Sequence, residues 1–463
     1  MMVRRDARSD APALVEGSAM VRYGELRRRV ATTAARVAME LENMHIARDE
    51  RWVAVAVDGS PTIETAVQLH ALFALGVTAV PLHPKLTGRE RAHALEAAQV
   101  RLELGRTDAE SPRADRIETP RFGTVDRPLA VIFTSGSSGA PKPVVLSRRA
   151  MVAAARASEA NLEWRNGDRW LCSLSPAHVG GLSILTRCGL GGRAVVFGTP
   201  GSFDAEVFSE DVRTTKTTLI SIVPTMARAL LTLPALPPVR AALIGGAPAD
   251  EDLLAEANAR GFPLLTTYGM SETSAQACTE RPGERLSNPR GSGRPLPGVD
   301  IRICDGEICI AGPTLFDGYL EPDGTLDRPM DDEGYFHTGD LGHFGAHGQL
   351  FVEGRRDHRI ISGGENVAPE EVEGVLRGVA GIEAVCVVGV PDPRWGERLV
   401  AVVVGHPEEA PMRQALVDDL AAFKRPKEFF SATQLPRTGS GKIDRRATRH
   451  QVLARKLVRL FPH

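Results

Sequence analysis

In Ala130-Val131-Ile132-Phe133-Thr134-Ser135-Gly136-Ser137-Ser138-Gly139-Ala140-Pro141-Lys142 an apolar run stops at two hydroxyls, passes through glycines and serines, and ends in a proline and a lysine. Small residues let a backbone approach an oxyanion, N–H groups and hydroxyls donate to its oxygens, and lysine supplies charge. That combination suits a polyphosphate. The order differs from G-x-x-x-x-G-K-[ST], because Gly136 and Gly139 lie too close together and Pro143 follows Lys142. A Ser/Gly-rich stretch standing alone is more often a linker, so its meaning depends on the rest of the chain.

Upstream, Trp52 to Val57 is a short β-prone run, Thr62 to Leu75 reads as a helix closed by Gly76, and Val77 to Leu82 reads as a second strand. Downstream the alternation recurs: Ala241-Ala242-Leu243-Ile244, a helix from Asp250 to Arg260, then Leu264-Leu265. Gly105 to Pro128 reads as a loop. From about Ile301 the pattern turns to shorter strands and turns. Beyond Gly354-Arg355-Arg356-Asp357 a compact α+β unit follows, with Pro369 opening a helix and strands at Ala384 to Val390 and Leu399 to Val404. Phe423 to Arg446, polar and carrying proline and glycine, reads as a mobile segment. The expected fold class is α/β. A large N-terminal domain (1–354) would hold α/β subdomains with parallel sheets plus a β-rich subdomain, and a small mobile C-terminal α+β domain would take 355–463.

Acidic residues number 58 and basic residues 56, a balance that gives no support for a nucleic-acid or membrane-surface partner. No apolar run approaches the roughly 20 residues of a membrane helix, and Met1-Met2-Val3-Arg4-Arg5-Asp6 lacks the apolar core of a secretory leader. The six cysteines are scattered without a C-x-x-C pair, which argues against a disulfide framework or a zinc site and for reduced thiols. A cytoplasmic location is expected.

Four further runs carry chemistry. Tyr268-Gly269-Met270-Ser271-Glu272-Thr273 follows a strand, and by itself reads equally as a strand-to-loop turn with a solvated Glu272. In Tyr335-Phe336-His337-Thr338-Gly339-Asp340-Leu341 an aromatic pair leads into a turn whose Asp340 can accept two hydrogen bonds at once. Gly354 to Val367 carries Arg355 and Asp357 beside Gly363-Gly364-Glu365-Asn366, and a bland interdomain hairpin is compatible with a hinge there. Leu435-Pro436-Arg437-Thr438-Gly439-Ser440-Gly441-Lys442-Ile443 sets Lys442 on a glycine-flanked loop, although a lysine near Arg445 and Arg446 is by itself most often a solvated charge.

Taken together, these runs resemble the adenylate-forming superfamily of acyl-CoA synthetases, luciferases and peptide-synthetase adenylation domains, from Tyr23-Gly24-Glu25-Leu26 to the Lys442 loop. The resemblance implies that Thr134, Ser135, Gly136, Ser137, Ser138, Gly139 and Lys142 surround the phosphates of ATP, and that Gly245, Gly246 and Ala247 flank the adenine. It gives Tyr268, Gly269 and Ser271 to the nucleotide, with Ser271 on the α-phosphate, Glu272 to Mg2+, and Asp340 and Arg355 to the ribose side. It further implies that Lys442 bridges the substrate carboxylate and the α-phosphate, that His178 stands at the mouth of the acyl pocket, and that Asp357 is the pivot of a rotating C-terminal domain. Ser138 and Pro143 depart from the commoner threonine and glycine, and Pro143 removes a backbone donor.

Pro176-Ala177-His178-Val179-Gly180-Gly181-Leu182-Ser183-Ile184-Leu185-Thr186-Arg187, with Gly245-Gly246-Ala247-Pro248 and Tyr268 to Gln276, is similar to the o-succinylbenzoate–CoA ligases of menaquinone synthesis. That implies a small carboxylic acid, ATP and CoA as partners, CoA being a co-substrate, with homo-oligomerisation left open. The spectator carboxylate of such an acid would need Arg187, or Ser274 with Gln276. Another aryl- or acyl-CoA ligase, an adenylating enzyme loading a carrier protein in trans, and a non-catalytic nucleotide-binding relative remain as alternatives.

Overall fold

The computed structural model describes residues 2–4, 6–47, 50, 52–105, 128–135, 141–249, 251–284, 291–362, 365–393, 395–438 and 441–461, with backbone alone for Ser135, Asp357, Ile361, Glu365 and Asn366. Contacts divide the chain into two units: Met1–Ile301 with Ile310–Phe336 and Ala346–Leu350, and Arg302–Cys309 with His337–Gly345 and Phe351–His463.

Two sheets build the first unit. In the seven-stranded sheet, Val100–Glu103, Ala54–Asp58, Thr78–Leu82 and Pro128–Ser135 are parallel neighbours, and Pro141–Ser147, Gly318–Leu320 and Leu326–Asp327 extend it antiparallel. The nine-stranded sheet has a parallel centre: Leu264–Tyr268, Ala241–Ile244, Leu219–Ile222, Arg169–Cys172, Ala194–Phe197 and Pro12–Glu16. The expected strand–helix–strand order is present, with Thr62 capping the helix Ile63–Leu75 by accepting from the Thr65 N–H at 3.2 Å. That helix is buried nearly all round and touches strands of both sheets, as an element lying between two layers must be. On the nine-stranded sheet, Phe208, Val212, Met226, Leu230, Leu253 and Ala257 from three helices close over Ile220, Ile222, Ala242 and Ile244. Parallel strands covered in this way read as continuous apolar runs, which is why Ala241–Ile244 carries no alternation.

In the second unit, residues 302–309, 337–345 and 351–355 belong to a four-stranded sheet ordered Asp300–Cys304, Glu307–Ala311, Phe336–Phe344, Leu350–Arg355. Further along, Ile382–Asp392 and Gly396–Gly405 form a long antiparallel pair. Its alternation sorts into two cores. Val385, Val387, Leu399, Ala401 and Val403 pack with Val372, Leu376, Met412 and Leu416, while Cys386, Val388, Val390, Val400 and Val402 pack with Leu435 and Val452. The run 423–446, expected as a mobile segment, contains the strand Glu428–Ser431, parallel to Gly396–Gly405. Phe429 buries one ring into the first core, so two aromatic residues in a polar context were enough to anchor a strand. Among the described residues no helix is long and apolar enough to cross a membrane, and all six cysteines are free thiols.

Candidate active site

The residues singled out in the first unit gather at the carboxyl ends of its parallel strands, where open α/β sheets leave a crevice. Thr134 is the penultimate residue of Pro128–Ser135, Gly245 follows Ala241–Ile244, and Gly269 follows Leu264–Tyr268. The ends of the two sheets meet: Ser175 Oγ donates to the Gly59 carbonyl at 2.6 Å, and the His178 and His83 rings lie 5.3 Å apart. Gly136, Ser137, Ser138 and Gly139 fall outside the described residues, as does the Ser135 side chain. What flanks them is a hairpin, with Thr134 opposite Lys142 and Phe133 opposite Pro143. Gly245 and Gly246 open the loop before Ala247, which is exposed.

After Tyr268 the chain turns tightly through the short helix Ser271–Thr273. The Met270 N–H donates to Thr273 Oγ1 at 3.0 Å, and Thr273 Oγ1 donates back to the Met270 carbonyl at 3.1 Å. Gly269 is required here, since a Cβ would fall 2.2 Å from the Ala275 carbonyl oxygen. This turn buries Glu272 to 9% exposure and leaves Ser271 half-buried. Tyr319 Oη donates to Glu272 Oε1 at 2.8 Å, and Lys142 Nζ sits 4.9 Å from the centre of the Tyr319 ring. A single buried carboxylate held from one side, with a lysine beside its tyrosine, is a donor set that fits Mg2+ bridged to phosphate oxygens.

His178 caps the helix Val179–Gly191 through its backbone. His83, on the loop beyond Thr78–Leu82, is held below the usual histidine range by burial and then by the Lys85 charge. On the same helix Arg187 is only 4% exposed, with its guanidinium 5.4 Å from the Trp170 ring. Its Nε and Nη2 have no hydrogen-bond partner among the described residues, nor does Gln276 Oε1. Burial lowers the Arg187 pKa to about 10, which still leaves a full positive charge at neutral pH.

In the second unit Asp340 is 9% exposed, and Arg355 Nη1 donates to Asp340 Oδ1 at 3.0 Å and to the Thr338 carbonyl at 2.8 Å. Gly339, at φ +73°, makes the room: a Cβ there would lie 2.8 Å from Arg355 Nη2. Lys442 is exposed on a hairpin tied by the Thr438 N–H to the Lys442 carbonyl at 2.8 Å. The hairpin leads into Asp444, which caps the helix Arg445–Leu453. The sequence reading missed Arg445, which is half-buried between Glu373 and Glu370, and Glu370 also lies 2.9 Å from His358 Nδ1. It missed Tyr319 as well, since a tyrosine in a three-residue strand carries no local signature.

Two family models match the chain, the AMP-binding enzyme over residues 3–320 and the AMP-binding enzyme C-terminal domain over residues 371–442. The chain is 34% identical over 444 residues to a 2-succinylbenzoate–CoA ligase of Listeria monocytogenes serotype 4b (strain F2365), covering 90% of this chain and 92% of that one. It aligns at TM-score 0.84 and 30% identity, over 95% of both chains, with the o-succinylbenzoate CoA synthetase of Bacillus subtilis in complex with the acyl-adenylate intermediate OSB-AMP. The same Bacillus subtilis enzyme in complex with ATP and magnesium ion aligns at TM-score 0.84 and 29% identity, over 95% of this chain and 97% of that one.

Tyr319→Phe keeps the ring beside Lys142 and removes the donor to Glu272. Calorimetry is expected to show ATP binding weakened roughly tenfold in the presence of Mg2+, in line with a hydrogen bond to a charged group, and little changed in EDTA. An equal loss in both conditions would remove the tyrosine's link to the metal.

Proposed function

The chain belongs to the AMP-binding enzyme family, and on that premise we propose that this ATP-dependent acid–thiol ligase activates o-succinylbenzoate and delivers the acyl group to CoA. A carboxylate acylates poorly because its leaving group is oxide. Attack on the α-phosphate of ATP releases pyrophosphate and leaves AMP as a good leaving group, so one difficult substitution becomes two easier ones. Mg2+, held by Glu272, would neutralise phosphate charge when bound.

The chain's own residues take the other roles. Thr134, Ser135, Gly136, Ser137, Ser138, Gly139, Lys142 and Ser271 receive the phosphates, and Gly245, Gly246, Ala247, Tyr268 and Gly269 receive the base. Asp340 accepts from the ribose hydroxyls, kept in place by Arg355 at 3.0 Å. His178 borders the acyl group. Lys442, exposed on its tied hairpin, relieves the repulsion between attacking carboxylate and phosphate by touching both in the transition state. A division at 354/355, with the C-terminal part turning about Asp357 after adenylation, would carry Lys442 away and admit the thiol. Free thiols at all six cysteines support a reducing, cytoplasmic location.

Arg187 is the observation that carries the choice of acid. A buried, charged guanidinium with two nitrogens lacking partners among the described residues calls for an anion. An acid with a second carboxylate supplies one, and the 2-succinylbenzoate–CoA ligases to which the chain is similar support that choice.

Incubation with ATP, Mg2+, CoA and a panel of acids, followed by mass spectrometry, is expected to yield AMP and o-succinylbenzoyl-CoA as the dominant pair. AMP with a different thioester would replace the acid, AMP without any CoA thioester would favour a carrier-protein acceptor, and ADP would overturn the adenylation chemistry. Lys442→Ala is expected to abolish adenylation while sparing thioester formation from supplied acyl-adenylate; equal loss of both half-reactions would sink its role. Arg187→Ala is expected to raise KM for o-succinylbenzoate at least tenfold, the scale of a charge-assisted hydrogen bond, with KM for ATP held. An unchanged KM would assign Arg187 to packing against Trp170 instead.

A further inference from the structure

We propose that Glu307, Cys309 and His337 form a binding site for a soft divalent cation such as Zn2+, separate from the Mg2+ position at Glu272. Glu307 and Cys309 stand two residues apart on Glu307–Ala311, so both side chains leave the same face of the strand. His337 lies on the neighbouring strand Phe336–Phe344. Its Nδ1 is 3.5 Å from Cys309 Sγ and 3.3 Å from Glu307 Oε2, and donor atoms of all three residues lie within 4.8 Å of one another. In a tetrahedral zinc site the usual bond lengths put sulfur and nitrogen ligands about 3.5 Å apart, and nitrogen and oxygen ligands about 3.4 Å apart. The geometry at His337 Nδ1 matches both edges.

Ligand type points the same way. One thiolate, one imidazole and one carboxylate suit Zn2+, whereas Mg2+ prefers oxygen alone. The Gly339 N–H donates to Glu307 Oε1 at 2.7 Å, which orients the carboxylate and leaves Oε2 toward His337. Glu307 and Cys309 are buried, but the His337 side chain is 44% exposed, which gives an ion a way in. On binding, the Cys309 S–H bond breaks, a sulfur–zinc bond forms, and the proton leaves to water. The cysteine spacing that argues against zinc finds only ligand pairs close in sequence, and here strand pairing brings the donors together.

One cation already competes for the site. Arg356 Nη2 lies 3.0 Å from Glu307 Oε2, so zinc and this guanidinium share one oxygen. Arg356 adjoins Arg355, which holds Asp340, and Glu307 holds Gly339, which precedes Asp340. Occupation of the site therefore disturbs the ribose-binding segment and is inhibitory; this consequence rests on the proposed function, while the binding itself does not.

The full-length protein, stripped with chelator, would be titrated with Zn2+ against a chromophoric competitor. One equivalent is expected to bind, with affinity reduced at least tenfold in Cys309→Ser and in His337→Ala and unchanged in Cys304→Ser, which alters the half-buried cysteine nearby in sequence. No stoichiometric binding, or the same affinity in both site variants, would overturn the proposal whatever the enzyme's substrate. In turnover assays with saturating Mg2+, zinc is expected to raise KM for ATP several-fold in the wild type and to lose that effect in Cys309→Ser. Inhibition that persists in both site variants would overturn the regulatory part.

Discussion

The hydrogen bond from Tyr319 to Glu272 is the contact on which the first unit's site depends. Glu272 follows a strand of the nine-stranded sheet, and Tyr319 belongs to Gly318–Leu320 in the seven-stranded sheet. A carboxylate removed from water needs compensation, and a hydrogen bond to a charged group contributes about 1.5–3 kcal/mol. The Phe316 N–H donating to the Glu272 carbonyl at 2.8 Å holds the backbone of the same segment. Lys142, from the strand beside Gly318–Leu320, lies by the Tyr319 ring, so the hairpin that carries Lys142 and the Glu272 carboxylate meet at a single aromatic side chain.

Local chemistry was legible in the sequence. The turn after Tyr268 and the Lys442 hairpin are written in runs of under a dozen residues, because each is held by its own backbone, and the parallel αβ order is written in the alternation of such runs. Partners supplied from a distance were not legible. Tyr319 lies 47 residues from Glu272, and His337 lies 28 from Cys309, separations at which residue type says nothing about contact. The antiparallel partner of Pro128–Ser135 was hidden for a different reason. Pro141 and Pro143 read as loop residues, yet Pro143 is tolerated opposite Phe133 in Pro141–Ser147.

The second unit half-buries a charged network by mutual pairing, although Arg445 Nε and Glu370 Oε2 have no hydrogen-bond partner among the described residues. Arg445 reaches Glu370, Glu373 and the Val387 carbonyl, while the Val387 N–H donates to Glu373 Oε1 at 2.7 Å. Burial alone would raise the Glu370 pKa, but the His358 hydrogen bond and the Arg445 charge outweigh it and hold the carboxyl below its usual range. The sign follows directly. Glu370 contributes stability at neutral pH, and that contribution is lost as pH falls through its lowered folded-state pKa. His358 follows the Arg355-Arg356-Asp357 run, and Arg445 follows the Lys442 hairpin, so Glu370 ties the segment read as a hinge to the segment carrying the lysine.

Two consecutive arginines hold two different carboxylates. Arg355 ends the strand Leu350–Arg355 and holds Asp340; Arg356 begins the short helix Arg356–His358 and holds Glu307. The change from strand to helix between them sends adjacent side chains to two carboxylates, and those carboxylates are themselves linked, because Glu307 accepts from the Gly339 N–H next to Asp340. The closed loop of Asp340, Arg355, Arg356, Glu307 and Gly339 means that a ligand displacing one arginine shifts the backbone frame of the other. A soft cation at Glu307 and a nucleotide ribose at Asp340 would therefore compete through geometry, without ever touching the same atom.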